Sequence, residues 1–118
     1  MKKIIVFPYI LSKPFAAVTI FPFIILKRKE LKDDFILINH EKIHIKQQME
    51  LLFFPFFIWF VVEYLFRLIQ YRNFYLAYKN ISFEREAYEK ENIIDYLPAR
   101  PHFAFLKYIK LPSYKKSA

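Results

Sequence analysis

"INHEKIHIKQQMELL", residues 38 to 52, runs directly into "FFPFF", residues 53 to 57. The first part carries His40-Glu41-Lys42-Ile43-His44, the pattern H-E-x-x-H, within a helical pattern that begins near Ile36. On a helix, His40 and His44 lie one turn apart and point the same way, so their ring nitrogens can share one metal ion. Glu41 lies beside that face, within reach of a water held by the metal. The pattern recurs in zinc hydrolases for this reason: zinc lowers the pKa of its water, and the Glu takes the proton. Without a metal, the same residues form a polar first turn in which Glu41 only favours the positive end of the helix dipole.

The second part opens the most hydrophobic stretch of the chain. Residues 51 to 69, "LLFFPFFIWFVVEYLFRLI", are broken early by Pro55 and late by Glu63 and Arg67. Glu63 and Arg67 are four apart in the favourable acid-before-base order and pair on one helix face. Nine Lys or Arg precede Leu51 and nine follow Ile69, with Arg67 between. A single membrane span shows a bias of such residues to the cytoplasmic side. The balance here predicts a hairpin that dips into the membrane and returns, with both flanks cytoplasmic; a single span is the alternative.

Composition points the same way. The 118 residues suggest one domain. There is no Cys, which excludes disulfides, thiolate ligands and a Cys nucleophile and leaves the redox compartment undecided. There is no Gly, which excludes the phosphate loops of Walker and Rossmann type. Apolar residues make up 56%, aromatics 21%, and the net charge is +8. A soluble core of this size cannot hide so many aromatic side chains, whereas a bilayer can, and a basic protein is drawn to anionic head groups. The aromatics lie in apolar runs and do not alternate with basic residues. A lipid bilayer is therefore the expected partner and nucleic acid is not.

Elsewhere the reading is coarser. Lys2 and Lys3 before "IIVFPYIL" hint at a signal peptide, but Pro8 breaks the run, and two short extended segments fit better. "FAAVTIFPFIIL", residues 15 to 26, suits a strand, with Pro22 marking an edge. "KRKELKDD", residues 27 to 34, reads as a charged loop, and Asp33, Asp34 or Asn39 can start the next helix. Residues 70 to 80 read as a polar-aromatic connection at an interface. Residues 81 to 92 read as a helix with Ser82 as N-cap and Glu86 paired to Lys90. Tyr88 and Tyr96 suit a membrane interface, with an oxyanion donor as the alternative role, and His102 reads as interfacial. Arg100 fits a lipid phosphate by default, or a substrate carboxylate.

A zinc site takes a third protein ligand. Glu50, Glu63, Glu84, Glu86, Glu89, Glu91, Asp95 and His102 are the downstream candidates. Glu50 lies too far along the His40 helix, and Glu63 already has Arg67. "FEREAY", residues 83 to 88, resembles the E-x-x-A-[D] helix of the gluzincin metallopeptidases, particularly membrane-embedded ones. The resemblance covers roughly residues 15 to 95 and extends to small bacterial membrane proteins of gluzincin type. It implies Glu84 as third zinc ligand beside His40 and His44, Glu41 as general base, Zn2+ as cofactor and a peptide substrate. It also implies a substrate strand laid on the edge at residues 15 to 26. Tyr88 stands where the family has an Asp that supports a histidine.

A straight helix from His40 to Arg72 would measure about 48 Å. From Arg72 the extended chain reaches Glu84 over at most about 40 Å. Glu84 therefore meets His44 only if the chain turns back near Phe54-Pro55-Phe56, a turn with no Gly to ease it.

The expected protein is mainly α, a membrane-associated helical hairpin with a short N-terminal β segment, minimal and gluzincin-like. It forms a single domain: 1–35 extended, 36–72 the HExxH helix and hairpin, 80–95 the third-ligand helix, 96–118 a basic tail. Its expected function is membrane-bound zinc peptidase at a bacterial inner membrane with the site facing the cytoplasm. The alternative is a non-catalytic, zinc-binding subunit of a larger membrane complex.

Overall fold

The computed structural model describes residues 4–7 and 16–109, so Pro8, Pro14 and the last nine residues of the basic tail lie outside them. Three strands, β1 (Ile4–Val6), β2 (Ala17–Ile20) and β3 (Phe23–Leu26), precede five helices. These are α1 (Phe35–Glu50), α2 (Phe54–Tyr71), α3 (Phe74–Lys79), α4 (Ser82–Lys90) and α5 (Tyr96–Ala99). Short 3-10 turns cover Lys29–Asp33 and Ala104–Tyr108. The protein is mainly helical with one small sheet of order β1-β3-β2.

Within the stretch read as one strand, residues 17–26 form a hairpin, and residue 15 lies outside the described residues. Ile20 pairs with Phe23, and Phe21-Pro22, joined by a cis bond, makes the turn. Proline has no N–H to give a ladder, so it is tolerated in the turn where none is needed. β1 pairs parallel with β3, which leaves β2 as the free edge beside α1. Lys27 N–H donates to the Ala16 carbonyl at 2.9 Å. In an antiparallel ladder this sets the alternation, so Ala17 and Thr19 turn their backbone groups outward. Gln48 of α1 covers the turn end of that edge. Its Nε2 donates to the Thr19 carbonyl at 2.9 Å, and its Oε1 accepts from Phe21 N–H at 2.6 Å.

The expected charged loop is partly the Lys29–Asp33 turn, and Asp34 is the residue that starts α1, accepting from Leu37 N–H at 3.1 Å. The connection over residues 70 to 80 is itself largely helical: Asn73 caps α3 by accepting from Leu76 N–H at 2.9 Å. Ser82 is not a cap. It is the first residue of α4, and its N–H and hydroxyl both donate to Glu63 at 2.7 Å. That buried carboxylate does the satisfying that a cap would do. Glu63 also pairs with Arg67 at 3.2 Å, as the four-residue spacing predicts. Within the expected tail, the Ala104–Tyr108 turn is packed into the fold, with Ala104, Phe105 and Tyr108 buried.

The chain reverses between α1 and α2, three residues before the proline that signalled it. Phe53 N–H donates to the Gln48 carbonyl at 2.7 Å and Leu52 N–H to the Met49 carbonyl at 3.2 Å. This is the Schellman pattern, with Leu52 at φ 60 in the position where glycine is usual. Phe53 follows at φ 72, and Pro55 stands in the first turn of α2, where a missing N–H costs nothing. Leu52→Gly is expected to raise stability by about 1 kcal/mol, because the left-handed region penalises a Cβ. A urea midpoint that falls in this variant would show that the leucine side chain itself holds the turn.

Two apolar clusters flank the polar interior. Ile24, Leu26, Ile38 and Ile45 join the sheet to α1, and Phe56, Ile81, Phe83 and Phe105 join α2 to α4 and the last turn. Among the described residues, α2 is the helix long and apolar enough to cross a membrane by length and composition, and 11% of it is buried.

Candidate metal centre

Between the two clusters, α1 turns His40, His44 and Gln47 toward α4. The spacing i, i+4, i+7 keeps them on one face. From α4, Glu84 and Ala87 face back at i and i+3, and Glu91, the residue that caps its C-terminal end, follows at i+7. Ala87 is fully buried, and its small side chain lets the helices approach. His40, His44 and Glu84 are buried and converge, the one such group of potential metal ligands among the described residues.

The separations are informative. The two Nε2 atoms lie 3.2 Å apart. His40 Nε2 is 3.2 Å from Glu84 Oε1, and His44 Nε2 is 3.1 Å from Glu84 Oε2. Zinc bonds of about 2.0–2.1 Å in tetrahedral array put neighbouring ligand atoms about 3.3 Å apart. The Nε2–Nε2 separation matches one such edge, and the Glu84 carboxylate spans the pair with one oxygen against each nitrogen.

The far ring nitrogens say where the protons are. His40 Nδ1 lies 2.8 Å from Glu91 Oε1, a carboxylate, so it donates. His44 Nδ1 lies 2.7 Å from Gln47 Oε1. The Gln47 amide is oriented by its other end, where Nε2 donates to the Phe83 carbonyl at 3.1 Å and to Glu86 Oε1 at 3.0 Å. Its oxygen is then the only group left to face His44, which must donate as well. Both Nε2 atoms thus present lone pairs to each other and to a carboxylate. Three acceptors that close together need a cation among them, whether protons or a metal ion.

Proton affinities show the same demand. Burial alone would depress the pKa of His40, but hydrogen bonds to Glu84 and Glu91 push it up to about 10. His44 is also raised: burial would lower it most, but the charge and hydrogen bond of Glu84, with the charge of Glu41, together overcome it. Burial would raise Glu84, yet the two histidines hold it well below the usual carboxylate range. Because the folded His40 pKa lies above its unfolded value of 6.5, the metal-free fold binds extra protons between those values. That stabilisation is complete below about pH 6.5 and is lost as pH rises through about 10. A metal ion must displace the proton, so its affinity rises with pH. Calorimetric melting of chelator-treated protein is expected to shift down from pH 7 to 10, and zinc is expected to flatten that dependence. An upward shift would contradict the sign.

Glu41 lies on the neighbouring face of α1, toward β2, and is buried. The Thr19 hydroxyl donates to its Oε1 at 2.6 Å, with the Glu41 carbonyl at 3.2 Å. A cavity of about 270 Å³ opens here, lined by β2, Glu41, His44, Glu84, Tyr78 and the aromatic rings of α2.

The support expected from an Asp at position 88 comes instead from Glu91, one helical turn on. Tyr88 packs its ring edge-on against His40, 4.6 Å between centroids, and hydrogen-bonds Tyr78. Glu91→Ala is expected to weaken zinc binding about 10–100-fold without unfolding the chain. Chelator competition checks this, and unchanged affinity would leave His40 without need of the carboxylate.

Other expectations fail for a shared reason. Glu86 does not pair with Lys90. It is fully buried and accepts from Gln47, from Tyr96 at 2.6 Å and from Arg100 Nη2 at 3.0 Å. Arg100 also binds Glu50 at 2.8 and 3.0 Å, so it is neither a lipid nor a substrate group. Tyr96 is occupied by Glu86 and stands away from the metal ligands. His102 is exposed, with Glu50 3.8 Å away, and is no ligand. Thr19, Gln47 and Tyr78 were not singled out by the sequence, and Glu91 only as a ligand. Gln47 had a readable signal, three residues after His44 and seven after His40 on the same face.

Comparison of the chain with family models, curated proteins and solved structures finds no match.

Proposed function

We propose that this protein is a membrane-bound zinc metallopeptidase of minimal gluzincin type. The observation that carries the reading is the buried convergence of His40, His44 and Glu84, a Glu84 oxygen against each Nε2, with both Nε2 lone pairs freed by Nδ1 partners. Two imidazoles and one carboxylate are a donor set that suits zinc and leaves a position open. A zinc ion bound there supplies Lewis acidity and a water of lowered pKa.

The residues of the chain supply the rest. Thr19 occupies Glu41 Oε1, so Oε2 is the oxygen that takes a proton from water and returns it to the leaving amine. Cleavage consumes one water and yields a carboxylate and an amine. The outward Ala17 carbonyl and Thr19 N–H, without partners among the described residues, suit an extended peptide added to β2. Phe56, Phe57 and Phe60 make the opposite wall apolar and exclude water. Burial first, and then the charge of Glu84, raise the Tyr78 pKa, so its hydroxyl stays protonated at the cavity wall, paired with Tyr88. The membrane in question is by this reading a bacterial inner membrane, with the site on its cytoplasmic side.

One feature favours the second reading, a non-catalytic subunit pinned by zinc: the cavity, about 270 Å³, lies below the common range for ligand clefts, about 300–1,000 Å³. Purification of the untagged protein in mild detergent separates the two. A lone chain that cleaves an unstructured peptide and stops with chelator supports the peptidase. Zinc-loaded protein that is inactive and copurifies with stoichiometric partners supports the subunit.

A further inference from the structure

Helix α2 is inside out. Ile58, Val61, Val62, Leu65, Phe66 and Ile69 recur at i, i+3, i+4, i+7, i+8 and i+11, a continuous stripe, and all are exposed. The opposite side carries the polar pair: Glu63 is buried against Ser82, and Arg67 reaches Glu63 and the Ile109 carbonyl. A helix in water places these the other way round. Leu52, 80% exposed in the strained turn, and Phe74, 73% exposed just past the other end, extend the stripe.

Charge selects the occupant. The chain carries +8, so a second copy on this face meets like charge and an anionic surface meets opposite charge. Arg72, exposed at the C-terminal cap of α2, and the exposed Lys107 are suited to head groups. Geometry selects the orientation. Eighteen residues make about 27 Å of helix, short of a hydrocarbon core of about 30 Å. The inner face is packed along its length, from Phe56 on Phe83 to Glu63 on Ser82. An upright α2 would carry α4 and the open β2 edge into hydrocarbon, where unpaired backbone groups are not tolerated.

We infer that α2 lies flat in the interface of an anionic bilayer, its outer stripe at the acyl boundary and the body of the protein in water. This replaces the re-entrant hairpin read from charge symmetry. Phe57, which borders the stripe, lines the cavity, so the candidate site sits near the membrane surface. The inference holds whether or not the site cleaves peptides.

The absence of Cys makes the chain a ready template for site-directed labelling. Single-Cys variants Ile58→Cys, Val62→Cys and Ile69→Cys, spin-labelled and reconstituted into vesicles of phosphatidylethanolamine with phosphatidylglycerol, report depth through oxygen and nickel-chelate accessibility. Equal, shallow depths at all three positions are expected. A gradient approaching the roughly 16 Å of rise between positions 58 and 69 would establish a span and overturn the inference. Phe66→Glu is expected to cut flotation with these vesicles at least tenfold at unchanged circular dichroism. Undiminished flotation, or labels broadened by contact between copies without vesicle binding, also overturns it.

Discussion

Glu84→Ala is expected to strip the protein of zinc. The wild-type chain should carry about one zinc, and the variant less than about a tenth of that after dialysis against a weak chelator. Structural zinc sites bind with apparent free energies of about 10–16 kcal/mol. Loss of one ligand in three removes on the order of 4 kcal/mol, close to three powers of ten in affinity. The triangle explains why no neighbour compensates. Glu41 is held by Thr19, Glu86 by Arg100, Tyr96 and Gln47, and Glu91 by the far side of His40. The variant also leaves two buried imidazoles without their counter-charge, so some loss of stability accompanies it. Glu84→Gln keeps the volume and isolates the charge, and His40→Ala should match the loss from the other side. Stoichiometric zinc retained in a folded Glu84→Ala protein would remove Glu84 from the site.

Glu41→Gln is expected to do the opposite: zinc stays and hydrolysis goes. The Glu41 side chain makes no hydrogen bond to His40, His44 or Glu84, and its contact is the Thr19 hydroxyl at 2.6 Å. An amide oxygen accepts that bond as well, so the side chain keeps its place and loses only its basicity. Removal of a general base costs typically 10²–10⁴-fold in rate, about 3–5 kcal/mol of transition-state stabilisation. The fall should appear in kcat with zinc content and melting temperature unchanged. Activity that persists in this variant assigns proton transfer elsewhere. If zinc leaves together with activity, Glu41 has a structural part that its hydrogen bond does not disclose.

The two variants act on neighbouring residues of unequal legibility. His40, Glu41 and His44 are close in sequence, and the helix period alone puts them together. The turn before Pro55 was also readable, because without it Glu84 could not reach His44 over the chain available. Asp34 as a helix start and Glu63–Arg67 as a pair follow from local rules of the same kind, and both are present at 3.1 Å and 3.2 Å.

The misreadings concern groups whose partners are distant. Glu86 and Lys90 have ideal spacing for a surface pair, yet such pairs are worth only a few tenths of a kcal/mol. Burial against Arg100, which arrives from fourteen residues on, replaces it with charge-assisted bonds in a water-poor interior. Glu91 was one carboxylate among eight candidates until α4 docked and set it 2.8 Å from His40. The Asp that the resemblance led one to seek at position 88 is replaced by function, one turn later, where no motif would look.

Residue order alone determined a helix with two histidines on one face, the need for a reversal after it if Glu84 is to join them, and an apolar segment too rich in aromatics for an ordinary core. These depend on periodicity, chain length and composition, which are properties of a segment by itself. Tertiary structure alone decided which nitrogen of each histidine carries the proton, which carboxylate supports the site, and which side of α2 faces outward. Each depends on atoms brought within hydrogen-bond distance from 19 to 51 residues away, as Glu63 meets Ser82, Gln47 meets Phe83 and His40 meets Glu91. No local propensity encodes that approach. "INHEKIHIKQQMELL" specifies two lone pairs on one helix face, and the docking of α4 turns them toward a common centre.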